Sequence, residues 1–208
     1  MKKFELTNET IINVNGVTLH RIRATADIVT QNFHVKSGEL GGFVEAEDNL
    51  SDNAWVSGNA VVSGDAMVSG DAMVSDDAEV YGNAIVYGNA VVSGNAVVSG
   101  NARVSGNALV SGNARVSGNA LVSCDADISK TSNYMVVGPI GSRNKYTTFF
   151  KGEDGKIYVR CGCFRGDTDE FLAQVAKTHG DSKHAETYRM ATKLAIAQID
   201  MERKEKNR

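Results

Sequence analysis

LSDNAWVSGNAVVSGDAMVSGDAMVSDDAEVYGNAIVYGNAVV, residues 50 to 92, decides the fold, and its six-residue register continues to VSCDAD, residues 122 to 127. The run is thirteen hexads long without an insertion. An α-helix repeats every 3.6 residues, so a strict period of six excludes it. In each unit the alanine and the following valine lie two apart, as Ala60 and Val62 do, and two-apart residues on an extended segment share a side. Both face inward, whereas the residue between them (Val61, Met67) and the serine after the valine face outward. Gly-Asn or Gly-Asp turns the corner, because these residues tolerate left-handed backbone angles. Each hexad is a short strand plus a corner, and a period of this kind sets the architecture before any other signal is read.

These hexads resemble the hexapeptide-repeat left-handed parallel β-helix, in which three hexads make one triangular coil. The fold class implied is mainly β: a left-handed parallel β-helix, with an N-terminal hairpin cap and a small C-terminal α+β domain around it. The handedness comes from the resemblance and departs from the usual crossover rule. Thirteen hexads give a little over four coils at a strand spacing of about 4.8 Å. With three hexads per coil, Asn59, Asp77, Asn95 and Asn113 stack as one ladder, Asp65, Asn83, Asn101 and Asn119 as a second, and Asp71, Asn89, Asn107 and Asp125 as a third. No acid falls directly over another, and stacked asparagines can exchange amide hydrogen bonds, so the ladders read as structural.

The outward positions sort by face. One face carries the apolar stripe Trp55, Met73, Val91 and Leu109 before Asp127; the others mix Val61, Glu79, Val97 and Arg115, and Met67, Ile85, Arg103 and Leu121. Full burial of each stripe side chain is worth roughly 1.5 to 3 kcal/mol, so a cover is expected. The candidates are the other protomers of a homotrimer, the usual assembly of the resembled fold, or the chain's own C-terminal helix.

Composition agrees with a core of small aliphatics: 21 glycines against one proline, 42% hydrophobic and only 7% aromatic residues. No apolar run approaches the ~20 residues of a membrane span, and the start MKKFELTNET lacks a signal-peptide core. The expectation is a cytoplasmic protein of a bacterial host that does not engage membranes. Charge divides the chain into three. Residues 1–49 hold five basic and seven acidic side chains, 50–129 two and eight, and 130–208 fifteen and ten. The same boundaries separate a hairpin cap with its lead-in (1–49), the repeat (50–129) and an α+β domain (130–208).

In the first segment KKFELTNETIINVNGVTLHRIRATADI (2–28) reads as two strands joined at Asn15-Gly16, a hairpin signal that would cap the first coil. TLHRIRA (18–24) and VKSGELGGFVEAEDNLSDNAWV (35–56) are similar to the start of hexapeptide-repeat proteins of bacteria, prophages and phages, some labelled transferases. In the last segment YMVVGPIG, KYTTFF and KIYVRCGCF are predicted strands, with Glu153 to Lys156 as a hairpin turn. Asp167 and Glu170 have capping-box form and start a helix whose apolar face holds Phe171, Leu172, Val175 and Ala176. It stops at His179-Gly180. A second helix from Ser182, with Tyr188, Ala191, Leu194, Ala195 and Ile199 inward, frays in ERKEKNR. This domain resembles a module that accompanies hexapeptide repeats in phage proteins, which implies a counter-defence role.

Hexapeptide acyltransferases use a coil histidine as base, yet all four histidines (His20, His34, His179, His184) lie outside residues 50–128. The same placement removes the three-histidine zinc site of a γ-type carbonic anhydrase. No catalytic residue, metal or cofactor is assigned, and an acyltransferase-like enzyme is the alternative reading. Gly138 to Asn144 (GPIGSRN) follows a strand and combines glycines, a hydroxyl and a guanidinium, the equipment of an anion site. The ligand-binding candidates are Gly141, Ser142, Arg143, Asn144, Lys145, Arg160, Arg165 and His179. Cys161 and Cys163, two apart on one predicted strand, read as buried reduced thiols. Nucleic acid is not expected as a partner, since basic residues are not interleaved with aromatics. The function expected is a non-enzymatic, phage-encoded oligomeric binding protein, either sequestering a nucleotide-like anion or blocking a host defence protein.

Overall fold

The computed structural model describes residues 2–201. Thirteen two-residue strands, β6 to β18, run from Trp55–Val56 to Asp127–Ile128 as a parallel β-solenoid. Each pairs with the strand eighteen residues away, as Val80 does with Val62 and Val98. The alanines and valines at the inward positions are buried along its whole length. No projecting loop interrupts the ladder.

The corners divide their labour more sharply than the sequence reading supposed. Left-handed φ belongs to the glycine of each Gly-Asn or Gly-Asp pair, for example +69° at Gly94, whereas the Asn or Asp after it is free to stack. Where glycine is replaced, Asp52, Asp76 and Cys124 take the same positive φ. Asp52 and Asp76 recover part of the cost, because their carboxylates accept the amide N–H of Gly70 (3.0 Å) and Gly94 (2.8 Å). The ladders form as expected: Asn59 donates to Asp77 (3.1 Å), Asn83 to Asn101 (3.3 Å), Asn89 to Asn107 (3.1 Å) and Asn107 to Asp125 (3.0 Å).

Stacking begins upstream of the first hexad. A hairpin of β1 (Phe4–Ile12) and β2 (Thr18–Ala24) continues into β5 (Leu40–Val44), and Phe43 and Val44 lie in register on Val61 and Val62. The connection between β1 and β2 is a five-residue loop rather than a two-residue turn: Asn13 accepts the N–H groups of Asn15 and Val17 on its side chain, with Gly16 at φ +78°. A small hairpin, β3 (Ile28–Val29) and β4 (His34–Val35), reaches along the solenoid, where the Asn32 amide donates to the carbonyl of Asn89 at 3.0 Å.

The N-terminal segment corrects the reading of the apolar stripe. Trp55, Met73, Val91 and Leu109 do stack in that order, ahead of Asp127. Trp55, however, is only 1% exposed. A Cβ on Gly41 would lie 2.8 Å from its ring and against Ile22, so the lead-in backbone packs directly on the indole. Its cover is the chain's own N-terminus, and the C-terminal helix takes no part. Met73 and Val91 are half-buried and Leu109 is 38% exposed.

The far end is closed by β19 (Tyr134–Ile140), β20 (Lys145–Lys151), β21 (Ile157–Cys161) and β22 (Phe164–Asp167), an antiparallel sheet in that order. Within the solenoid an outward residue's N–H donates to the next coil, as Val97 does to the carbonyl of Ala114. In the last coil hydroxyls take over: Arg115 N–H donates to Thr131 (3.0 Å), Ser117 to Tyr134 (3.2 Å) and Leu121 to Thr148 (2.9 Å). Phe150 joins the solenoid core from the sheet's inner face and stacks with Tyr158.

On the sheet's outer face lie α1 (Thr168–His179) and α2 (Lys183–Gln198). Asp167 and Glu170 form the predicted capping box, the Asp167 carboxylate accepting from the amides of Asp169 and Glu170 while Glu170 accepts from Asp167 N–H. Ser182 caps α2. Leu194 is a correction: it is 55% exposed, and the buried stripe of α2 is Ala185, Tyr188, Ala191, Thr192 and Ala195. That stripe keeps the three- and four-residue steps of a single helix face, from which Leu194 is rotated away. The fraying expected over ERKEKNR lies outside the described residues.

Candidate functional site

Three elements meet around a cavity of about 360 Å³ on the helix side of the C-terminal sheet. The turn between β19 and β20 brings Ser142 and Arg143, with Lys145 just inside β20; the turn between β21 and β22 brings Cys161, Gly162, Cys163 and Phe164; the helices bring Phe171, Thr178, His179 and Tyr188. One wall is aromatic, since Phe171 meets Phe164 at 5.2 Å and Tyr188 edge-on at 5.4 Å between ring centroids. The opposite rim is basic.

Four of the eight ligand-binding candidates, Ser142, Arg143, Lys145 and His179, line this cavity. Gly141 lies beside it for a steric reason. A Cβ there would collide with the Tyr188 phenol, and its φ is +73°. The glycine-rich segment is shorter than read: residues 138–140 belong to β19, and only Gly141 to Asn144 form the turn, closed by Asn144 N–H donating to the Gly141 carbonyl at 3.2 Å. Asn144 does not line the cavity.

Arg160 and Arg165 do not join the cluster. Neighbours on a strand point to opposite faces, and Cys161 faces the cavity, so Arg160 faces the solenoid side. Arg165 is its cross-strand partner on β22 and shares that face. Among the described residues the Arg160 Nε is buried without a hydrogen-bond partner. Proximity in sequence grouped these arginines with the anion site, and strand alternation separates them.

The two cysteines are also redistributed. Gly162, at φ +60°, breaks the predicted strand into a tight hairpin in which Cys161 pairs with Phe164. Cys163 is therefore exposed in the turn, while Cys161 is half-buried at the strand end. Thr147 donates its hydroxyl to Cys161 Sγ at 3.3 Å, and Cys161 in turn donates to Tyr188 Oη at 3.7 Å. Burial pushes the Tyr188 phenol up to about 12, against the pull of Arg143 in the other direction. At neutral pH the phenol is a neutral donor. His179 stands 5.7 Å from the Tyr188 ring and 6.1 Å from His184.

Tyr188 is the site residue that sequence reading assigned to the helix core alone. A tyrosine among alanines on an inward stripe was the available signal, because a buried phenol needs a polar partner. A second, acidic hollow of about 440 Å³ is lined by Asp125, Glu153, Asp154 and Tyr158 where the sheet meets the last coil. Among the described residues no group of three or more His, Cys, Asp or Glu side chains is arranged to hold a metal. No described helix is long and apolar enough to cross a membrane.

Comparison with known proteins bears on the solenoid. The family model of the YdcK beta solenoid repeat matches residues 78–94, 86–100, 96–112 and 102–117. With the coil-on-coil pairing, these matches identify a repeat β-helix protein. No curated protein matches the chain.

Proposed function

We propose that the protein is a non-enzymatic binding protein in which the solenoid is a rigid stalk and the C-terminal domain holds a nucleotide-like anion. The observation that carries this reading is the cavity itself, where Arg143, Lys145, Ser142 and His179 face an aromatic wall of Phe164, Phe171 and Tyr188. A guanidinium and an ammonium pair with phosphate oxygens, and the wall offers a flat apolar surface to a base. Its volume falls within the few hundred Å³ usual for small-molecule sites. In a phage-encoded protein such a site would serve counter-defence by sequestering a nucleotide signal.

The test is calorimetry and thermal shift with a nucleotide panel, acyl-CoA included. A ligand that binds only the folded state raises the melting temperature according to RT ln(1 + [L]/Kd). Arg143→Ala should abolish that shift while leaving the melting temperature of the free protein within about a degree, because an exposed arginine adds little to folding. Stabilisation by acyl-CoA with turnover would favour the acyltransferase instead.

The stalk is proposed to assemble as a homotrimer through Met73, Val91 and Leu109, the part of the stripe that the N-terminus leaves partly open. Light scattering on the intact protein reads the mass directly. A second reading, in which the protein blocks a host protein, is favoured by the outer face of α2, where Met190 and Leu194, one turn apart, are each more than half exposed. Loss of pull-down of a single host protein on Met190→Glu, with nucleotide binding absent, would select it.

A further inference from the structure

We infer that Tyr188 is the residue that selects the ligand's anionic group, donating its phenolic hydrogen to a phosphate or carboxylate oxygen held by Arg143. The inference rests on the cavity reading above and adds to it a second, neutral donor. The hydrogen bonds run in one direction. Thr147 gives its hydroxyl proton to Cys161 Sγ, and the Cys161 thiol gives its own to Tyr188 Oη. The phenol oxygen is thus already an acceptor, and among the described residues no hydrogen bond uses the phenol's own hydrogen. Tyr188 and Arg143 both line the cavity.

The surroundings fix the position of the phenol. The ring is held edge-on by Phe171 and flanked by His179, and the backbone of Gly141 lies where any side chain would strike the hydroxyl. Only a glycine at 141 lets the turn that carries Arg143 close onto the phenol. The same glycine that looked like part of a phosphate-cradling loop therefore serves to bring a charged donor and a neutral one to the same cavity.

A neutral donor and a cation together discriminate by acceptor strength. A phosphate monoester or carboxylate satisfies both groups, whereas a neutral base or sugar hydroxyl leaves the guanidinium without its counter-charge. The ligand class is an anion carrying a flat apolar part small enough for about 360 Å³, and mononucleotides are the natural probes. Cys161 acts here as a positioning residue, since its thiol occupies the phenol's acceptor side.

The experiment compares 5′-AMP, inorganic pyrophosphate and adenosine by calorimetry on the native protein, Tyr188→Phe and Arg143→Ala. Phenylalanine keeps the ring and its packing on Phe171. The expected result is AMP binding by the native protein, weakened about tenfold in Tyr188→Phe, as for loss of about 1.4 kcal/mol, with adenosine weak and equal in both. Undiminished AMP binding by folded Tyr188→Phe overturns the role of Tyr188 and leaves the cavity reading standing. Failure of both anions to bind the native protein removes the anion site and this inference with it. Should Tyr188→Phe not fold, ultraviolet resonance Raman of the native protein decides: the tyrosine doublet, which distinguishes donor from acceptor phenols, must move towards the donor ratio on adding AMP, and a static doublet overturns the inference.

Discussion

Val80 in the solenoid sits between Val62 and Val98, surrounded by copies of itself. Tyr188 in the C-terminal domain meets Phe171 of α1, Cys161 of β21 and the turn at Gly141, three residue types from three elements. A residue of the first kind has its environment written eighteen positions away, and a residue of the second kind has it written nowhere in particular. The stacked region accordingly tolerates variation at outward positions, Glu79, Val97 and Arg115 following one another on one face. In the C-terminal domain one changed atom at Gly141 would displace the phenol.

The largest expected effect tests whether the two regions are energetically separate. Val98→Asp places a carboxylate in the dry centre of the stack, where an uncompensated buried charge costs about 3 to 5 kcal/mol. Solenoid coils interact only with their neighbours, so hydrogen exchange should show protection lost around Val80 and Val116 and largely kept in α1 and α2. Simultaneous loss of protection in both regions would mean that the hydroxyl contacts from Thr131, Tyr134 and Thr148 weld them into one folding unit.

A smaller effect is expected at the cap of α1. Asp167→Ala should cost about 1 kcal/mol, confined to the C-terminal domain and read by urea unfolding followed through helix signal. The backbone N–H of Glu170 holds the Asp167 carboxyl below its ordinary 3.8 against the opposing push of burial, with Lys156 and the N–H of Asp169 adding to the lowering. A depressed carboxyl stabilises the fold fully above its unfolded value and loses that stabilisation as pH falls through the folded one. The gap between native protein and variant should therefore be constant from neutrality down to about pH 4 and close below it. A gap that does not change with acid would show that the charge of Asp167 contributes nothing.

The smallest effect has the opposite sign. Cys124 occupies a corner glycine's place at φ +62°. Restoring Cys124→Gly relieves roughly 1 to 2 kcal/mol of left-handed strain and returns roughly 0.5 to 1 kcal/mol to unfolded-chain entropy. Calorimetry should show a rise in melting temperature of a degree or two. A fall would mean that the Cys124 side chain contributes contacts beyond its 3.6 Å approach to Ser123.

Legibility followed the same division. The period of six, the asparagine ladders and the capping box at Asp167 could be read because each depends on residues at fixed spacing. Trp55 could not, because its cover arrives from Gly41 and Ile22 in a segment whose path no repeat dictates. Arg160 and Arg165 were misplaced because nearness in sequence was taken for nearness in space, whereas alternation puts them on the face opposite Cys161; the cysteine pair was misread because alternation was applied across Gly162, where the chain turns back. Leu194 was drawn inward by its hydrophobicity, although the angular position of Tyr188, Ala191 and Ala195 already defined a face without it. Of the cavity, the basic rim was visible as composition, and its aromatic floor was hidden in what read as ordinary core.

The replacement of a missing coil by the hydroxyls of Thr131, Tyr134 and Thr148 makes rod length an independent variable. Apart from the reach of the β3–β4 hairpin to Asn89, each end piece meets the backbone of a single coil, and every interior coil offers the same ladder of donors and acceptors above and below. Eighteen residues could be removed or duplicated between Val62 and Val116, and Phe43 and Thr148 would still find the surfaces they find now. The molecule is in this sense a ruler graduated in steps of about 4.8 Å, along which the C-terminal cavity can be held nearer to or farther from the N-terminal hairpin with neither end redesigned.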